Sequence, residues 1–185
     1  FKDLPGAPIA YWASDALRST FMTGRRVEDV APVRQGFQTG DNDRFMRFWF
    51  EVARSRINFT ARTTDDFHAS GARFAPYLKG GGFRKWYGND DYVVAFAKRD
   101  YAVLATMGNK LPSRGLYFKD SITWSALSSG AFGARYAGTG STFSAKGACA
   151  FPQDEFSREL VLAVFNSSVT RDLLEFMGAT LDFNV

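Results

Sequence analysis

The stretch Gly36-Phe-Gln-Thr-Gly40-Asp-Asn-Asp-Arg44-Phe45-Met-Arg-Phe-Trp49-Phe-Glu-Val52 sets the class of the fold. Its first half is turn chemistry, with Gly36 and Gly40 able to take backbone angles that other residues resist and Asp and Asn closing the loop. Its second half alternates. In an extended strand over 45–52, Phe45, Arg47, Trp49 and Glu51 share one face, while Met46, Phe48, Phe50 and Val52 form an apolar face opposite. With the short apolar stretch 30–33 just upstream, the pattern predicts strand, glycine loop, strand.

Upstream, Pro8 suits the first turn of a helix, and Ile9, Trp12, Ala13, Ala16 and Leu17 recur at helical spacing up to Phe21 and Gly24, predicting an amphipathic helix packed on a sheet. Downstream, residues 54–78 have weak periodicity and predict a long connection with one short helix. Gly80-Gly-Gly82 is the strongest flexible punctuation in the chain. Beyond it, strands are predicted at 92–96, 116–118, 122–126, 132–136 and 148–151, with 101–106 either a strand or the end of a short helix. Gly138-Thr-Gly-Ser141 lacks the strand-loop-helix context of a phosphate loop and predicts a hairpin turn. The chain ends in a helix over 155–166, with Phe156, Leu160, Ala163 and Val164 on one face, and a second over 169–177 stopping at Gly178. The expected class is α+β: a mixed, largely antiparallel sheet with an N-terminal helix and a C-terminal helical pair. Residues 1–185 are expected to form one domain, with 155–178 as a helical support.

Composition agrees with a folded domain: 45% of the 185 residues are hydrophobic and 23% charged. The aromatic share, 16% with 19 Phe, exceeds what a core of this size obviously needs, so some aromatics are expected on a surface that meets a partner. The net charge of +4 is unevenly spread. Residues 1–70 hold 10 Lys and Arg against 9 Asp and Glu, residues 71–146 hold 11 against 4, and residues 147–185 hold 2 against 6. A basic central segment between a near-neutral and an acidic one is the pattern of a DNA-facing surface on a scaffold, and equally of a solvated basic surface with no such partner. One Cys149 and one His68 exclude an internal disulfide and a Cys/His zinc site. With no apolar run near 20 residues and no basic leader, a bacterial cytoplasmic, DNA-associated location is expected, away from membranes. Phe1 in place of Met is expected of a piece excised from a longer protein.

No catalytic constellation emerges. His68 and Cys149 join no triad, and Asp41 with Asp43, like Asp90 with Asp91, sits beside Asn or Gly where Asp commonly closes turns. Neither an Asn-Pro-Pro-Tyr nor an Asp-Pro-Pro-Tyr element, the tetrapeptide that holds a flipped adenine in amino-methyltransferases, occurs in the chain.

Three elements taken together carry a family resemblance: residues 36–52; Lys79-Gly-Gly-Gly-Phe-Arg-Lys-Trp-Tyr-Gly-Asn89; and Lys119-Asp-Ser-Ile-Thr-Trp124-Ser-Ala-Leu-Ser-Ser129-Gly130, followed by Phe132 and Arg135-Tyr136. The end, Leu162-Ala-Val-Phe-Asn166-Ser167 through Thr180-Leu-Asp-Phe-Asn184, belongs to the same pattern. In this order the elements resemble the recognition region of the BREX phage-exclusion methyltransferases of the PglX type. They resemble more loosely the C-terminal specificity domains of TaqI-like type II restriction-modification enzymes. The resemblance implies a parent enzyme that methylates adenine at N6, with S-adenosylmethionine bound in an upstream domain and none bound by this segment. It implies duplex DNA, the methyltransferase domain of the same polypeptide and other defence-system proteins as partners.

Recognition of duplex DNA needs cations that hold phosphates and side chains that reach base edges. Arg84 and Lys85 suit phosphates or a guanine edge, and Trp86 and Tyr87 suit sugar packing or wedging beside an extruded base. Both basic residues are expected to be exposed and at least one of the aromatics buried. Gln38, Thr39, Asn42 and Arg44 in the glycine loop, Lys79, Lys119, Ser125, Ser128, Ser129 and Arg135 complete the candidate set, with Trp124 assigned to the core. The alternatives are a single-stranded nucleic-acid or RNA binder stacking bases on Phe83, Trp86 and Tyr87, or a metal-dependent nuclease using Asp90, Asp91 and a nearby Lys.

Overall fold

A computed structural model describes residues 14–126, 131–153 and 157–176. Among the described residues eight short strands form two four-stranded sheets, so the fold is α+β and largely antiparallel, with two sheets in place of the single one expected. The first sheet is ordered β1-β8-β5-β6, from β1 (Val33–Arg34), β8 (Cys149–Ala150), β5 (Ser121–Trp124) and β6 (Ala134–Ala137), and is antiparallel throughout. The second is ordered β2-β4-β3-β7, from β2 (Met46–Phe48), β4 (Tyr92–Ala95), β3 (Phe74–Leu78) and β7 (Thr142–Phe143), with β3 and β7 parallel.

Residues 138–141 therefore carry the chain from β6 in one sheet to β7 in the other. This segment is a crossover, not the hairpin turn predicted. Gly140, at φ +97°, lies so close to the Phe59 carbonyl that a side chain would not fit.

The predicted strand over 45–52 breaks into three pieces. Asp41 caps a single turn, α3 (Asn42–Phe45), by accepting the Arg44 N–H at 3.0 Å. β2 then lasts three residues. After Phe48 the Glu51 carboxylate accepts the Phe48 N–H at 2.7 Å and the chain turns into a 3-10 segment, Trp49–Glu51. A carboxylate three residues ahead thus ends the strand, and the expected apolar face is lost: Phe48, Trp49 and Phe50 are all exposed.

The 54–78 connection contains the expected short helix, α4 (Thr64–Ala69), capped by Thr63, and also the unexpected β3. Residues 101–106 fall in and after a helix, α5 (Lys98–Leu104), while 116–118 form no strand, Leu116 ending a 3-10 turn at Arg114–Leu116.

Two packed clusters support the sheets. The larger is rich in rings: Phe37, Phe67, Phe96, Tyr117, Phe118 and Phe143 meet at centroid separations of 5.5 to 5.9 Å, mostly edge to face. His68 is half-buried beside them, its Nε2 3.0 Å from the Phe96 carbonyl. The smaller cluster joins Ile122, Trp124, Ala134 and Ala150 to Val161 and Phe165 of α6 (Arg158–Phe165).

The buried face of α6 is not the one its spacing suggested. Val161 and Phe165 point inward, whereas Leu160, Ala163 and Val164 are exposed and Phe156 lies outside the described residues. A second helix, α7 (Ser168–Phe176), follows directly. At the other end, α1 (Asp15–Thr23) falls within the predicted N-terminal helix, whose Pro8, Ile9, Trp12 and Ala13 lie outside the described residues, and its Ala16, Ser19, Thr20 and Met22 are exposed. A further turn, α2 (Val27–Val30), precedes β1. Among the described residues no helix is long and apolar enough to cross a membrane.

Candidate nucleic-acid interface

The glycine loop meets the start of the triglycine segment in a cleft of about 280 Å³. It is lined by Gln38, Thr39, Asn42, Lys79 and Lys146, with the Phe37 and Tyr77 rings at its base. Backbone pairing builds this cleft. Phe37 bridges to Ser144, its N–H donates to the Phe143 carbonyl at 3.1 Å, and the buried Tyr77 hydroxyl donates to the Phe37 carbonyl at 2.6 Å. From the other side Asn109 clamps the loop twice: its Nδ2 donates to the Gly36 carbonyl at 3.0 Å and its Oδ1 accepts the Gln38 N–H at 2.8 Å.

Much of the loop's polar chemistry is therefore used internally. Thr39 is buried and its hydroxyl donates to Asn42 Oδ1 at 2.7 Å. Gln38 and Arg44 are exposed, the Arg44 guanidinium lying 4.9 Å from the Phe45 ring centroid. Lys79 is half-buried, with Nζ 3.3 Å from Met46 Sδ and 5.6 Å from the Tyr92 ring. Burial pulls its pKa below the usual lysine value.

Past the triglycine segment, residues 83–87 form a knuckle pinned by its backbone. Trp86 makes a parallel bridge beside β6: its N–H donates to the Ala134 carbonyl and the Tyr136 N–H donates to the Trp86 carbonyl, both at 2.9 Å. Trp86 itself has φ +74°, a left-handed conformation costing a bulky residue on the order of 1–3 kcal/mol. The two backbone hydrogen bonds offset that strain and fix the direction of the neighbouring side chains. Both rings stand outward: Trp86 is 53% and Tyr87 71% exposed, against the expectation that one would be buried.

Arg84 is exposed as expected. Lys85 is also exposed at its residue surface, yet its Nζ donates at 2.8 Å to the carbonyl of Asn166, the residue that ends α6. A cation at a helix C-terminus is stabilised by the unpaired carbonyls there, so Lys85 holds the helix as well as facing outward.

Asn166 completes the mounting. Buried beside β6, its side chain accepts the Ala134 N–H at 3.0 Å and donates to the Ala134 carbonyl at 2.9 Å, substituting for a neighbouring strand.

The third sequence element does not present the surface expected of it. Arg135 is 2% exposed, its guanidinium 3.4 Å from Ser125 Oγ and from the Gly133 carbonyl, with Nε unpartnered. Its pKa is lowered by burial and partly restored by Asp90. Ser125 is buried too, as is Trp124, which was assigned to the core; Lys119 is exposed. Ser128 and Ser129 lie outside the described residues. Alternation placed Arg135 correctly on a strand, but its strand faces are both covered.

Sequence reasoning also missed the clamp Asn109, the cleft lysine Lys146, the anchor Asn166 and the exposed Trp49, Phe50 and Phe59, while Phe83, named for base stacking, is exposed. Only the three missed rings had a signal, the surplus of aromatics. Among the described residues no three His, Cys, Asp or Glu side chains group as metal ligands. Cys149 is fully buried, which pushes its thiol pKa up to about 11.

No protein-family model matches the chain. Its whole length is similar to an adenine-specific methyltransferase PglX of Lacticaseibacillus casei (strain Zhang), with 38% identity over 193 aligned positions covering 100% of this chain and 16% of the relative. It is also similar to an adenine-specific methyltransferase BrxX of Escherichia coli O9:H4 (strain HS), with 32% identity over 186 positions covering 99% of this chain and 15% of the relative. The chain thus spans about one sixth of the length of the curated relatives it matches.

Proposed function

We propose that this chain is a DNA-recognition segment of an adenine-specific DNA methyltransferase of a BREX or related restriction-modification system. In this reading it contacts duplex DNA, while methyl transfer from S-adenosylmethionine to adenine N6 belongs to another part of the same polypeptide. The observation that carries the reading is the similarity of the entire chain to two adenine-specific methyltransferases, of which it spans 16% and 15%.

The surface agrees with it. Arg84, Trp86 and Tyr87 are exposed on a backbone-pinned knuckle, Gln38, Lys79 and Lys146 line the cleft, and Lys79, Arg84 and Lys146 all belong to the basic segment 71–146. In this assignment Arg84, Arg44, Lys119 and the two cleft lysines meet phosphates and set register, while Gln38 and Asn42 offer amide groups to base edges. Thr39, Ser125 and Arg135, being buried, act through the loops they brace.

The test is duplex binding at several salt concentrations. Log affinity is expected to fall linearly with log salt, as counterion release requires, and a binding constant indifferent to salt would sink the reading. The exposed rings of Phe83, Trp86 and Tyr87 favour a second reading, a binder of single strands. Competition decides between them: a single strand that displaces duplex more effectively than unlabelled duplex does would establish the second.

A further inference from the structure

Between β3 and β4 on one side and the end of β6 with its crossover on the other lies a cavity of about 370 Å³. Six aromatic residues line it, Trp49, Phe59, Tyr77, Tyr87, Tyr92 and Tyr136, together with the Asp90 carboxylate and the hydroxyl-bearing Thr139 and Ser141. We infer that this cavity is a binding site for one unstacked nucleobase bearing an exocyclic amino group, on a nucleic-acid strand or as a free nucleotide. The inference rests on the nucleic-acid reading for its strand-borne form only.

Three observations favour that ligand. A planar heterocycle stacks on aromatic side chains whatever its substituents, and the volume holds one base with its sugar. The amino group of adenine or cytosine donates to a carboxylate, whereas the only Watson–Crick-edge donor of thymine, its N3–H, is flanked by two carbonyl oxygens that Asp90 repels. Burial and the neighbouring Asp91 raise the Asp90 pKa while Arg135 behind it opposes the rise, as expected of a carboxylate partly removed from water.

The surrounding charge argues against the other occupant an aromatic cage suits, an organic cation. The Arg54 guanidinium lies 4.8 Å from the Phe59 centroid, that of Arg158 lies 4.4 Å from Tyr136, and Lys79 Nζ lies 5.6 Å from Tyr92. None of these three cations lines the cavity, so three of its six aromatic residues already engage a cation from outside it. With those three rings already in cation contacts, an organic cation gains less from the cavity than a stacked planar base does.

The test uses the whole 185-residue chain and two arms. In the first, dAMP, dCMP, dTMP and tetramethylammonium are titrated and followed by ligand-observed NMR. Binding of dAMP and dCMP in preference to dTMP is expected, weakened about 10-fold in Trp49→Ala, which removes a stacking wall. Asp90→Asn is expected to erase the preference over dTMP. In the second, a duplex with one mismatched 2-aminopurine is followed by anisotropy for binding and by fluorescence for unstacking.

Nucleotide binding without duplex binding would keep the cavity and overturn the DNA reading. Duplex binding with neither a fluorescence rise nor nucleotide binding would overturn the inference and leave the DNA reading standing. Tetramethylammonium binding in place of nucleotides, or nucleotide binding unchanged in both variants, would also overturn it. Trp49 is half exposed, and Asp90 lies at the surface although its carboxylate turns toward the cavity and is partly desolvated, so circular dichroism is expected to show folded variants.

Discussion

The glycine loop at residues 36–44 and the knuckle at 83–87 carry similar polar and basic residues, yet the fold uses them in opposite ways. In the loop, a backbone bridge at Phe37 is completed by side chains that are thereby used up: Asn109 holds two backbone groups, Thr39 holds Asn42 and Asp41 caps the following turn. In the knuckle, backbone hydrogen bonds secure it, and the side chains of Arg84, Trp86 and Tyr87 are left outward. A residue type alone therefore does not say whether it can reach a partner. What decides is whether the backbone or the side chain satisfies the local hydrogen bonds.

The largest expected effect comes from breaking the loop at Gly36, which packs against the Phe143 carbonyl with no room for a Cβ. Gly36→Ala must push the loop off β7 and is expected to cost about 3 kcal/mol, read as a fall in the denaturant midpoint. A variant as stable as the parent would show that the loop is free to shift. The knuckle is expected to keep its geometry, so any residual DNA affinity in the folded fraction measures the knuckle alone.

Asn166→Ala strikes the knuckle instead. It leaves the buried Ala134 N–H without its acceptor and loosens the edge to which Trp86 is bonded, with an expected cost of about 2 kcal/mol. Amide hydrogen exchange at Trp86 and Tyr136 is expected to accelerate, while exchange at Phe37 and Gln38 is not. Equal acceleration in both regions would mean that they unfold as one unit.

Arg84→Ala separates binding from stability. The side chain is exposed, so unfolding free energy is expected to stay within about 0.5 kcal/mol of the parent. The slope of log affinity against log salt is expected to shrink by about 1 if Arg84 meets one phosphate. An unchanged slope would remove Arg84 from the interface.

How far the sequence disclosed this arrangement depends on the length of each signal. Residues 92–95, 121–124 and 134–137 and the two C-terminal helices were legible, because each is a run bounded by turn or capping residues. β3 was not: Pro76 argues against a central strand, and the structure accommodates it because β7 pairs only with Tyr77 and Leu78 beyond it. β7 is two residues long and is held by tertiary partners, such as the Thr142 hydroxyl donating to the Pro76 carbonyl at 3.0 Å. In α6 the choice of Leu160 and Val164 over Val161 and Phe165 is a one-residue phase error, about 100° around the helix. Of the candidate site, exposed Arg84 and the cleft-lining Gln38, Asn42 and Lys79 could be reached from motif and charge. The burial of Arg135 and Ser125 could not, since it depends on which strand β5 and β6 pack beside.

The smallest effect concerns Lys79, where the two regions join. Its pKa is lowered by burial, so in the window between that lowered value and the ordinary ~10.4 the unfolded chain binds more protons than the folded one. Stability from this group therefore rises as pH rises through the window; below it both states are protonated and the desolvation penalty is constant. Lys79→Met removes the titration while keeping a flexible apolar stem beside Met46 and Tyr92. The difference in unfolding free energy between parent and variant is expected to shift in the parent's favour on going from neutral to alkaline pH. Duplex affinity of the parent is expected to weaken over the same rise, because a neutral Lys79 no longer attracts phosphate. A parent whose affinity holds up to the ordinary lysine range would place Lys79 away from the DNA and leave the loop side of the comparison without its cation.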